Sequence, residues 1–164
     1  MLNFKKLPKG FTLIELLVVI GILGILLAIV LIAINPAAQF AQANNTARTN
    51  DVNTILNAVH QYGADHKGNL VALGLPTAPD PALEIMGGVG NPGGADVCAL
   101  LSPDYVSLFP VDPDGPNNGA AVGDCTADYQ TAYFIVKDAS GRITVSAPSA
   151  ETVRGVAPVI SVTR

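Results

Sequence analysis

From Leu16 to Ile34 the chain runs through nineteen residues without a charged or strongly polar side chain, and beyond Asn35-Pro36 the pattern changes to a one-sided apolar stripe. As a helix the first run is about 28 Å long, close to the hydrocarbon thickness of a bilayer, so it is long enough to span a membrane. In the second run Val52, Ile55, Leu56 and Val59 recur at i, i+3, i+4 and i+7, with Ala41 and Ala47 upstream. That spacing predicts an amphipathic helix laid on a packed layer, with Arg48, Asn50, Asp51 and Asn57 facing water. Pro36 lacks the N–H that a helix interior needs, which predicts a kink rather than a stop, and Gly63 and Gly68 are the stops. Helix from Phe11 to about Tyr62 would reach some 78 Å, too long for one globular core to cover, so something besides the chain's own head must bury the first half.

After about residue 64 the pattern breaks up. Pro76 to Pro92 reads as a long Pro/Gly/Asp-rich loop, and Gly94 to Leu101 as a short helix. Tyr105–Phe109, Thr131–Lys137, Arg142–Ala147 and Val156–Val162 read as strands, with a hairpin turn at Asp138-Ala139-Ser140-Gly141. The expected architecture is α+β: a long kinked N-terminal helix packed on a small antiparallel sheet. Four stretches follow: a leader (1–10), an apolar helix (11–34), its amphipathic continuation (35–63) and a β head (64–164).

Charge sets the topology. Lys5, Lys6 and Lys9 precede the apolar run with no acidic neighbour, which places the leader in the cytoplasm and the rest outside. Without the first ten residues the basic count falls from 9 to 6 and the formal charge moves from -4 to -7. So acidic a product is a poor general binder of nucleic acid, and any DNA contact would be local. Cys98 and Cys125 are the only cysteines, and in an oxidising compartment they read as one disulfide, the alternative being two buried thiols.

One residue violates the apolar pattern. Glu15 lies within Gly10-Phe11-Thr12-Leu13-Ile14-Glu15-Leu16-Leu17, where a carboxylate is costly unless it has a partner. A cut after Gly10 would expose an amine on Phe11, one turn from Glu15 and of opposite charge. Taken alone, this also fits an uncut signal anchor whose glutamate reaches back to the interface.

With the basic leader, Gly10, Phe11, Thr12-Leu13-Ile14 and Glu15 in this order, the segment resembles the class III signal peptide of type IV prepilins and pseudopilins. The resemblance covers residues 5–35 and continues less specifically to about Tyr62. It implies that a prepilin peptidase cleaves between Gly10 and Phe11 and methylates the Phe11 amine. It also implies that Glu15 pairs with a neighbour's terminus during filament assembly. Many members of that family have a proline twenty-two residues after the cut, where this chain has Ile32 and places Pro36 four residues later.

Other motifs carry less. Asp112, Asp114 and, downstream, Asp124 form an oxygen-rich loop of the kind that binds calcium in some pseudopilins, but Pro116 stands where a third EF-hand ligand belongs, which favours a solvated turn. His60 and His66 lack further ligands at zinc spacing. Asn44-Asn45-Thr46 matches a glycosylation sequon. No nucleophile elbow, histidine triad or nucleotide fingerprint is present, so a structural role is expected rather than catalysis, and no cofactor.

The expected function is therefore that of a structural subunit of a type IV pilus-like filament supporting adhesion, motility or DNA uptake. Its partners would be identical subunits, the prepilin peptidase, the membrane before assembly and the assembly machinery within it. It would begin in the cytoplasmic membrane and end in an extracellular filament. The rivals are a type II secretion pseudopilin and a monomeric membrane-anchored binding module.

Overall fold

A computed structural model describes residues 10–164; the leader's Lys5, Lys6 and Lys9 lie outside the described residues. The chain divides into two compact units, the first reaching Gln39 and the second running from Phe40 to Arg164.

In the first unit α1 spans Leu13–Ile34, 22 residues or about 33 Å. None of its residues is buried, and its length and composition suffice to cross a membrane. Asn35 then leaves helical geometry with φ 47°, a left-handed conformation that asparagine tolerates better than most residues. Helix α2 (Pro36–Asp65) begins at the next residue. Pro36 therefore stands at the first position of a new helix, where its missing N–H has no intrahelical partner to lose, and not in the interior of a continuing one.

The second unit packs α2 on a four-stranded antiparallel sheet of β1 (Leu83–Gly87), β2 (Tyr129–Lys137), β3 (Ile143–Ala147) and β4 (Ile160–Thr163), in the order β1-β2-β3-β4. Alternation puts Tyr129, Thr131, Tyr133 and Ile135 of β2 on the inner face with Ile143, Val145 and Ala147 of β3. They meet the stripe of Val52, Ile55, Leu56 and Val59, each fully buried, in one apolar core. Each such side chain contributes about 1.5–3 kcal/mol on burial. A short helix α3 (Cys98–Leu101) closes one end of the core through Cys98 and Leu101.

Two expectations for the head change. The segment from Tyr105 to Phe109 is a turn whose last residue bridges Val122, and the missing edge strand is β1, inside the region read as loop. Strand β1 is hard to see because it pairs with β2 across a bulge. Three β2 residues, Thr131 to Tyr133, oppose Ile85 alone, and Ala132 takes φ 61°. The Thr131 hydroxyl donates to the Ile85 carbonyl (2.8 Å) and the Glu84 carboxylate accepts from the Ala132 N–H (3.0 Å), so side chains fill the gap in the ladder.

Candidate assembly site

The bond between Gly10 and Phe11 lies in non-helical backbone before α1. Phe11 is 81% exposed, and among the described residues nothing stands within 4 Å of where a side chain on Gly10 would project. Thr12 is the N-cap, with extended backbone (φ −83°, ψ 151°). Its hydroxyl accepts from the Glu15 N–H (3.3 Å), while Glu15 Oε2 accepts from the Thr12 N–H (2.9 Å) and hydroxyl (2.7 Å). This reciprocal capping box satisfies two donors that a helix start leaves without partners.

Glu15 thus has a partner within its own chain. Both bonds go to Oε2, and among the described residues Oε1 accepts none. The carboxylate sits on the face formed by Phe11, Ile14, Val18 and Val19, which border a shallow groove of about 360 Å³. The Thr-x-x-Glu spacing ahead of an apolar run is a recognised helix-start pattern, so the signal for the capping role of Thr12 lies in the sequence itself.

A second polar constellation lies in the head. Arg48 was expected to face water; instead it is 1% exposed. Its Nε and Nη2 donate to the two oxygens of buried Asp112 (2.8 and 2.9 Å), and Nη2 also reaches Asp114 (2.9 Å). Nη1 donates to Asn45 Oδ1 (3.0 Å) and Glu151 (3.0 Å). Asn44 Nδ2 bridges Asp114 (3.0 Å) and Glu151 (2.8 Å). The network ties α2 to the loops on either side of the β2–β3 hairpin. A charged residue one turn before the apolar stripe gives no hint of it, because its carboxylate partners are more than sixty positions away.

The carboxylates of Asp112 and Asp114 therefore converge on a guanidinium, which supplies the positive charge that a cation would bring. Asp124 turns away to the Thr126 N–H (2.9 Å) and hydroxyl (2.6 Å). The sequon residue Asn44 is held by the same network. His66 stacks on Tyr62 at 3.9 Å and its Nδ1 contacts the Tyr62 carbonyl (2.8 Å), while His60 is exposed on α2.

Electrostatics follow these contacts. Hydrogen bonds from Asn44 and Arg48 hold the Glu151 carboxyl below its ordinary range. Burial pushes Asp51 up, against the pull of the Tyr133 hydroxyl that donates to it at 2.7 Å. Burial and the Asp51 acceptor together hold the Tyr133 proton firmly. Cys98 and Cys125 are joined in a disulfide that links α3 to the loop before β2.

Residues 5–31 match the family model described as the prokaryotic N-terminal methylation motif. No curated protein and no solved structure matches the chain. The matched segment contains Gly10, Phe11, Thr12 and Glu15 and most of α1, and its head is a small antiparallel sheet packed on a helix. The chain carries the N-terminal methylation motif, the class III signal-peptide motif of type IV pilin precursors, ahead of an α+β, pilin-like arrangement of a long apolar helix and a small antiparallel sheet.

Proposed function

We propose that this chain is the structural subunit of a type IV pilus-like filament, cut between Gly10 and Phe11 by a prepilin peptidase and methylated on the new Phe11 amine. The observation that carries the reading is the methylation motif joined to a 22-residue apolar helix with no buried residue. Such a helix is stable only in lipid or against other apolar helices, since its own head leaves it uncovered. Leaving the membrane therefore requires identical helices to bury one another, and packing with small residues such as Gly21 and Gly24 permits close approach.

In this reading Glu15 has two successive partners. Before assembly its Oε2 rests on Thr12, which lowers the cost of a carboxylate within lipid. In the filament the same carboxylate meets the Phe11 amine of a neighbouring copy and sets the stagger between helices. A pair of opposite charges in apolar surroundings is favourable only in good geometry, so the contact acts as a register device more than as a source of affinity.

Replacing Glu15 with leucine tests this assignment. The Glu15→Leu chain should enter the membrane and be processed normally while fibre yield, counted by electron microscopy after shearing, falls at least tenfold. Normal fibres from that variant would remove the carboxylate from the mechanism.

A further inference from the structure

Two features of the head stand on different flanks of α2 and carry opposite charge. One flank carries a protruding turn at Arg154-Gly155. Val153 and Val156 close it with two mutual backbone hydrogen bonds (2.9 and 3.0 Å), and both central residues have positive φ, 51° and 83°. This is the geometry of a tight two-residue hairpin, which glycine or asparagine would adopt more easily than arginine. Among the described residues Arg154 pairs with no carboxylate, and the turn is followed in the chain by exposed Val156 and Val159 (67% and 91%).

The other flank holds a pocket of about 360 Å³ walled by Ala47, Pro110, Val111, Pro113 and Ala121, with Asp51 in its lining. Asp51 accepts the Tyr133 hydroxyl on Oδ2, and among the described residues its half-buried carboxylate is in no ion pair. Burial raises its pKa, so an incoming positive charge would meet an acid that burial has left short of solvation.

The separation of the flanks follows from helix geometry. Ala47 and Asp51 are one turn apart, whereas Thr46, Thr49 and Asn50 border the groove on the Arg154 side. At 3.6 residues per turn the two sets point about 125° apart, one on either side of the core-facing stripe. Surfaces that complement each other from different sides of one molecule make a head-to-tail contact that does not close on itself, which is the contact a filament repeats. Charge gives the contact a further reason: with Glu15 set aside, the head has 12 acidic and 6 basic residues, so stacked copies repel unless cations sit at their junctions.

We propose that neighbouring heads meet through a heterologous contact in which the Arg154 turn of one copy enters the Asp51 pocket of the next. This rests on the filament reading above. Val156 and Val159 cover the apolar rim of the pocket, and the guanidinium supplies the missing partner of the carboxylate.

The test uses the full chain expressed with its assembly machinery. In a Val156→Cys, Ala47→Cys double variant, which keeps Arg154 and Asp51, sheared fibres are treated with a short bis-maleimide, to which the disulfide-bonded native cysteines do not react. A ladder reaching trimers and beyond on denaturing gels, absent from either single variant, is expected. Intact fibres that dissolve to monomers overturn the contact while leaving the filament standing. A second variant, Arg154→Gly, relieves the left-handed backbone, so the head's thermal midpoint should not fall while fibre yield drops several-fold; full yield from it likewise overturns the contact. Absence of fibres from the unaltered chain sinks the filament reading itself, and the contact with it.

Discussion

Arg48 shows how much one side chain can decide. A buried guanidinium with three carboxylates and an amide around it contributes little net stability compared with a well-packed apolar residue, but removing it strands Asp112 as an unpaired buried charge. Arg48→Ala should therefore destabilise the head by about 3–5 kcal/mol. Urea unfolding of the detergent-solubilised chain, followed through its four tyrosines, measures this, since all four lie in the head. Glu151 belongs to the same network with the opposite exposure, its side chain 35% accessible, so its share is smaller and screened. Because its folded pKa is depressed below the ordinary 4.5, its contribution is present above that pH and is lost as pH falls through the lower folded value. The stability gap between the native chain and Glu151→Gln should accordingly narrow as pH drops below 4.5; a gap independent of pH would contradict the pairing with Asn44 and Arg48.

At the scale of elements, legibility in the sequence follows the range of the interactions. Helix α1 and the stripe of α2 are visible because periodicity and hydrophobic run length are local, and β2, β3 and their Asp138–Gly141 turn are visible for the same reason. Strand β1 is not, since its register depends on a bulge completed by Thr131 and Glu84 from elsewhere in the chain. Nor is the burial of Arg48, whose environment comes from loops that meet only in the folded head. At the N-terminus the residues Gly10, Phe11 and Glu15 are legible as a linear motif, and the Thr12-x-x-Glu15 spacing ahead of the apolar run carries the cap in the same local way. The disulfide belongs to this scale too. It closes a loop of 27 positions between α3 and the segment before β2. Reduction should lower head stability by about 3–4 kcal/mol in the chain-entropy account. Unfolding with and without reductant reads this directly, and equal midpoints would mean that the loop is already restrained in the unfolded chain.

For the whole molecule, the two units divide the work. The head from Phe40 onward has its own apolar core and a clamp of polar contacts on α2, and it needs no partner to bury its interior. The apolar helix buries nothing of its own and needs either lipid or other copies. Everything proposed for the chain depends on its changing from the first environment to the second, and cleavage after Gly10 is the chemical event that would permit it, because only then does Phe11 present a charge for Glu15 of another copy. Intact-mass and N-terminal peptide mass spectrometry of the protein purified from its native membrane and filament fractions therefore tests the account most directly. The account predicts a chain that begins at Phe11 and carries a methyl group on that amine; a protein that retains Met1 to Gly10 would contradict it.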